Sequence, residues 1–318
     1  MNQLGPFLMA AAMTAAAPPA PVVSSGTIER FEIGSEHVPG RTITVWLPDS
    51  YDGSHPHAVL YMQDGQMLFD ASTTWNGQEW GADEIAGRLI REGAVRPFII
   101  VGIPNDGENR HAEYSPQRPF EAMSEAQEAA LYDAIQQSED QTRHGRPVPE
   151  LLGEYLRSDA YLRFLVEELK PRIDRSYAVE TGPSDTFIMG SSMGGLISLY
   201  ALVEYPRVFG GAACLSTHWP GFMGPDVNPF PELMQAYLSD RLPPPAQHRI
   251  YFDHGTVGLD AAYGQYQEQV DAILEERGYD ETRWETRVFE GADHNEDAWR
   301  ARLGIPLRFL LGRDPGDP

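Results

Sequence analysis

The chain has 318 residues, 42% of them hydrophobic, enough to bury the core of one large α/β domain or two smaller ones. Its formal charge is −23, from 47 acidic against 24 basic residues, with Lys170 the single lysine, so its surface repels nucleic acid and anionic lipid and disfavours both as partners. Cys214 is the only cysteine, which excludes an internal disulfide and a thiolate metal cluster, and its apolar setting GGAACLS reads as a buried structural thiol.

The chain opens with MNQLGPFLMAAAMTAAAPPAP, a short apolar stretch followed by small residues and a Pro-rich linker. Residues 1–22 are therefore expected to be a signal peptide and linker, although the n-region has no Lys or Arg. Cleavage would fall near Ala16 or Ala17, with Pro18 disfavouring the second site, and the mature chain would be periplasmic or secreted. A disordered Ala/Pro tail on a cytoplasmic protein is the alternative. No other run approaches the length of a membrane span.

Beyond the linker, β-type runs recur at Thr27–Ile33, Thr42–Leu47, Ala58–Gln63, Phe98–Ile103, Asp185–Met189, Gly211–Leu215, Arg249–Asp253 and Glu285–Phe289. Helical periodicity falls between them at Ala82–Glu92, Ser158–Glu168, Met193–Glu204, Ala261–Glu276 and Glu296–Leu310. The first strands follow one another without helices and suit antiparallel pairing. The later ones alternate with helices, which predicts an eight-stranded, mostly parallel sheet covered on both faces. Residues 118–157 break this alternation with a polar, Glu/Gln-rich helical stretch and a loop, read either as an insertion above the strand ends, where lids occur, or as a solvated decoration.

The stretch FIMGSSMGGLISLYAL holds Ser192 between Gly190 and Gly194, a match to GxSxG. In this motif a serine sits on a strained turn between a strand and a helix, and its neighbours must be small because the backbone is crowded. Five residues alone are a weak signal, but a strand before and a helix after give the context the motif requires. Ser192 is the candidate nucleophile, and a plain Gly/Ser turn is the bland alternative.

A serine hydroxyl needs a base within hydrogen-bond reach and a third group to orient that base. The chain order for this motif is Ser, acid, His. His294 follows the last strand in TRVFEGADHNEDAW and is the candidate base; His218 comes too early, and His254 lies at a strand end where a structural role fits. Asp253 and Asp260 both qualify as the acid. The loop GTVGLD gives Asp260 the length to reach a histidine, which favours it, with a helix N-cap as its structural alternative. Backbone N–H groups for an oxyanion are expected from Met193, next to the nucleophile, and from Gln66, where Gly65 lets the chain turn close to the site.

Together, LYMQDGQMLFD, VGIPNDGENRHAEYSP, SDAYLRFLVEELKPRID, FIMGSSMGGLISLYALVEYPRVFGG, FDHGTVGLDAAYGQYQEQVDAIL and FEGADHN resemble the putative-esterase family of α/β-hydrolases, over roughly residues 27–312 and in family order. The family includes enterochelin-esterase-like, esterase-D-like and feruloyl-esterase-like enzymes. The resemblance implies a single α/β-hydrolase domain over residues 23–318. It also implies a serine carboxylic-ester hydrolase working on a small-molecule ester through Ser192 and His294, with neither metal nor organic cofactor. Many members carry the acid two residues after the GT pair, but Gly258 stands there, so the role moves to Asp260.

Trp75, Trp80, Tyr114, Trp219 and Phe222 lie in loops expected near the strand ends and could stack on a sugar or aryl group, or simply pack locally. His218 could line the pocket. Arg110 could pair with a substrate carboxylate or tie its loop to Glu113. Three rival readings stand beside the esterase: an acyltransferase using the same residues, a non-catalytic binding protein on a hydrolase scaffold, and a metal-dependent hydrolase using Asp253, His254 and His294.

Overall fold

The computed structural model describes residues 19–137, 142–143, 146–147, 156–221 and 227–312. Residues 1–18 of the expected signal peptide and linker (1–22) lie outside these residues, as does Phe222. No helix among the described residues is long and apolar enough to cross a membrane.

Eight strands form one sheet: β1 (Thr27–Ile33), β2 (Arg41–Leu47), β3 (Ala58–Gln63), β4 (Phe98–Ile103), β7 (Thr186–Ser191), β8 (Gly211–Leu215), β9 (Arg249–Gly255) and β10 (Trp284–Phe289). Their order is β1-β2-β4-β3-β7-β8-β9-β10. β1 and β2 pair antiparallel, as do β2 and β4, and every later pair is parallel. This is the α/β-hydrolase fold that the sequence predicts, with each strand within two residues of its expected bounds. A separate two-residue ladder joins β5 (Thr142–Arg143) to β6 (Arg146–Pro147).

β3 and β4 are buried along their whole length, which is why β4 reads as an unbroken apolar run and β3 as one as far as Met62. Alternate residues serve the two faces: Val59 and Tyr61 join one apolar cluster, Leu60 and Met62 the other. The first face is covered by α7 (Met193–Glu204), whose residues from Met193 to Val203 are all buried. Such a helix is apolar all round because protein surrounds it. The second face is covered by α1 (Ala82–Arg91), α10 (Glu296–Arg302) and α11 (Gly304–Leu311). Because β3, β7, β8, β9 and β10 run parallel, their carboxyl ends share one edge, and the loops that follow them converge there.

The helices depart from expectation in three places. The helix beginning at Ser158 does not stop near Glu168: α5 (Ser158–Arg163) passes through a π-helical segment, Phe164–Leu169, into α6 (Lys170–Ser176). Pro171 lacks an N–H and would clash with the carbonyl four residues earlier, and the wide π turn just before it gives room for both. The last helix is two, α10 and α11, parted at Leu303 and Gly304. A helix that the periodicity did not predict, α8 (Phe230–Arg241), starts inside the run NPFP. Proline is tolerated in a first helical turn, and Asn228 Oδ1 accepts from Phe230 N at 3.0 Å, so a stretch that looks like loop starts a helix.

Residues 118–157 begin with α3 (Gln117–Glu121) and α4 (Glu125–Gln137), after α2 (Arg110–Tyr114). Arg118 Nε bonds Glu204 Oε2 at 2.7 Å, and Phe120 stacks on Phe230 with centroids 4.6 Å apart. Glu204 closes α7, so this part is anchored at the end of that helix away from Ser192. Residues 138–141, 144–145 and 148–155 of the expected insertion lie outside the described residues.

Candidate active site

Ser192 sits at the junction of β7 and α7 with φ 56° and ψ −124°. Three backbone bonds hold that strained turn: Ser192 N to Leu215 O at 2.9 Å, and Leu196 N and His218 N to Ser192 O, each at 3.1 Å. The flanking glycines follow from crowding. A Cβ on Gly190 would lie 2.5 Å from the Gly194 carbonyl, and one on Gly194 would lie 3.1 Å from Asp64 Oδ2. The turn leaves Ser192 partly exposed at the carboxyl edge of the sheet, with Met193 N among the first N–H groups of α7, which have no partner within the helix.

His294 and Asp260 come from different loops and meet here, with Nδ1 2.5 Å from Oδ1. The other Asp260 oxygen, Oδ2, accepts from Ser216 Oγ and from Gly255 N, both at 2.6 Å. Burial alone would raise the Asp260 carboxyl, but the bonds from His294, Ser216 and Gly255 outweigh it and hold the group below the usual carboxylate range. Asp260 lies within a 3₁₀ turn, Gly258–Ala262, ahead of α9 (Gly264–Glu276), and the N-cap residue of α9 is Tyr263, so the helix-capping alternative for Asp260 does not hold.

Asp253 belongs to another cluster. It is buried at the end of β9, forms an ion pair with Arg302 Nη2 at 3.0 Å, and accepts from Tyr251 Oη at 3.1 Å. Burial pushes its carboxyl up to about 6 against the pull of Arg302. His254 Nδ1 contacts Gly255 O at 2.7 Å. Asp253, His254 and His294 thus face separate partners, and among the described residues no group of three or more His, Cys, Asp or Glu is arranged to hold a metal ion.

On the opposite side of the serine, Asp64 takes a left-handed backbone, φ 54°, at the start of the turn Gly65–Met67. A Cβ on Gly65 would lie 2.4 Å from the Gly102 backbone, so only glycine fits there. The turn leaves Gln66 exposed, its Oε1 accepting from Asn105 N at 3.2 Å.

The expected substrate-facing residues are placed differently. Arg110 turns to Asp64 and not to Glu113: its Nε and Nη2 each bond Asp64 at 2.8 Å, and Asn105 Nδ2 joins them at 2.6 Å. Glu113 instead pairs with Arg41 at 2.6 Å. Tyr114 is fully buried and its hydroxyl accepts from Asp64 N. Trp80 is buried against Trp299, ring centroids 5.6 Å apart, and Trp219 is buried with Nε1 bonded to Gln267 at 3.1 Å. Trp80, Tyr114 and Trp219 are therefore packing residues, and Arg110 is a brace for the turn that carries Gln66. His218 does reach the site: its Nδ1 lies 2.6 Å from the Tyr263 hydroxyl, which also interacts with the Ser192 side chain. Trp75 is 84% exposed.

Sequence reasoning did not single out Asp64, Ser216, Tyr263, Trp299 or Arg302. Of these, only Trp299 and Arg302 left a trace, a spacing of three in DAWRAR that puts both on one face of α10.

An eight-stranded, mostly parallel sheet whose fifth strand in chain order within it ends at a serine on a strained strand-to-helix turn is the fold of the α/β-hydrolases. The family described as "Putative esterase" matches residues 38–139 and 132–310, and the chain belongs to it; the protein is an esterase. It is 24% identical over 291 residues to "Uncharacterized protein YbbA" of Bacillus subtilis, covering 88% of this chain and 96% of that one. It is 31% identical over 166 residues to the ferri-bacillibactin esterase BesA of the same organism, covering 51% of this chain and 49% of the relative. Among solved structures, the BES protein from Bacillus cereus superposes with TM-score 0.61 at 18% identity, over 93% of this chain and 99% of that one. A ferulic acid esterase from Anaeromyces mucronatus in complex with ferulic acid gives 0.57 at 19%, over 90% and 91%.

Proposed function

We propose that the protein hydrolyses carboxylic esters through an acyl-enzyme on Ser192. The single observation that carries this is the Asp260–His294 bond of 2.5 Å, with the His294 ring 5.7 Å from that of Tyr263, whose hydroxyl interacts with Ser192 at φ 56° between strand and helix. His294 Nε2 takes the proton as Ser192 Oγ bonds to the ester carbonyl carbon. Met193 N–H and Gln66 N–H receive the oxyanion. Collapse expels the alcohol, which takes the proton from imidazolium, and water then repeats the sequence to release the acid and restore Ser192. Asp260 orients the imidazole and stabilises its cation.

The substrate class follows from the named relatives. One is a ferri-bacillibactin esterase and one a ferulic acid esterase bound to ferulic acid, so siderophore esters and feruloyl esters are the first candidates. The test is an ester panel spanning feruloyl, siderophore, acetyl-sugar and short aryl esters, run beside fluorophosphonate labelling. Labelling and turnover that vanish together in Ser192→Ala support the reading. Labelling that survives in Ser192→Ala overturns it.

A further inference from the structure

Three non-glycine residues among those described have positive φ: Asp64, Ser192 and Ser216. The first two begin the Gln66 turn and carry the candidate nucleophile. Ser216, at φ 44°, has no such role, yet it is fully buried and pays the same kind of backbone strain.

Its hydroxyl has three neighbours. Trp299 Nε1 lies at 3.0 Å and Arg302 Nη2 at 2.8 Å, and both are obligate donors. A hydroxyl has one proton and two acceptor sites, so these donors fill the acceptor sites and leave the proton one destination, Asp260 Oδ2 at 2.6 Å. Gly255 N–H shares that oxygen, and Oδ1 is left for His294. We propose that Ser216, locked by Trp299 and Arg302, is the positioning residue that turns Asp260 toward His294 and thereby keeps the imidazole proton on Nδ1 and the Nε2 lone pair free.

Ser216 is also a spacer. Arg302 Nη2 stands 3.9 Å from Asp260 Oδ2 with the Ser216 oxygen bonded to both, while its other neighbours are Asp253 and the Phe289 ring, 5.0 Å from Cζ. Without the hydroxyl, Arg302 can close on Asp260 directly and draw the carboxylate from the histidine. Trp299 reinforces the arrangement from the other side, its ring edge-on to His294 at 5.1 Å.

The inference rests on the role proposed for Asp260 and His294, and its test separates the two. Ser216→Gly removes the hydroxyl at a backbone conformation glycine prefers, so the fold should survive. The expected result is a fall in kcat of roughly 10- to 100-fold with KM little changed, smaller than the loss on removing the acid itself. The far-downfield proton resonance of His294 Nδ1–H should move upfield. Trp299→Phe keeps the ring on His294 but removes one donor, and should give a smaller loss. Adding it to Ser216→Gly should cost no more than Ser216→Gly alone, because Trp299 acts through the hydroxyl. Turnover within twofold of the parent, an unmoved resonance, or losses that multiply overturn the inference. A parent that fluorophosphonate labels, with Ser216→Gly unchanged, overturns this inference alone; a parent that is not labelled overturns the proposed function and this with it.

Discussion

Asp260 Oδ1 lies 2.5 Å from His294 Nδ1, whereas Asp253, at the end of the preceding strand, spends its charge on Arg302 at 3.0 Å. Asp260→Ala should lower turnover by roughly two to four orders of magnitude and leave the melting temperature nearly unchanged. Asp253→Ala should behave in the opposite way, costing stability first, because it strands a buried guanidinium. Side-by-side kinetics and thermal melts decide the matter. The assignment fails if Asp253→Ala is folded and inactive while Asp260→Ala keeps near-parent turnover.

The elbow gives a steric prediction. In Gly190→Ala the new methyl would meet the Gly194 backbone at 2.5 Å, and backbone cannot swing aside as a flexible side chain can. We expect a loss of roughly 1–3 kcal/mol in denaturant unfolding and strongly slowed fluorophosphonate labelling. A variant as stable and as reactive as the parent would show that the turn tolerates a shift.

Arg110 is expected to act through Asp64. Arg110→Met leaves a largely buried carboxylate beside the Gln66 turn without its two bonds, and should lower kcat about 10-fold or more. Arg110→Lys should rescue little, since an ammonium cannot span both oxygens. Full rescue by lysine would reduce the role of Arg110 to that of a point charge.

Asp253 and Asp260 should contribute to stability with opposite pH dependence. Burial raises Asp253 from 3.8 in the unfolded reference to about 6 in the fold, so its favourable contribution is complete below about pH 4 and lost as pH rises through 6. The change is on the order of 3 kcal/mol. Asp260 is lowered, so its contribution is present above the ordinary carboxylate range and lost as pH falls through its folded value. The melting temperature of the parent minus that of Asp253→Asn should thus be more positive at pH 4 than at pH 7. A difference that does not change with pH would contradict the raised value.

The strands and the strand-to-helix turn at Ser192 were legible in the sequence because each is a local signal, and the meeting of Asp260 with His294 was expected from loop length. A buried parallel strand is apolar along most of its length, and GxSxG needs small residues where its backbone is crowded. Loop length was enough to prefer Asp260 over Asp253. What local pattern could not carry is which side chains meet across loops. Arg110 is 46 residues from Asp64, Ser216 is 44 from Asp260, and Arg302 is 86 from Ser216. Nothing in RHAEY distinguishes a guanidinium facing substrate from one bound to a neighbouring turn, and nothing in LSTHW marks Ser216 as a proton donor to an acid. Those choices are made only when parallel strands bring their carboxyl ends to one edge and burial forces each polar group there to find a partner.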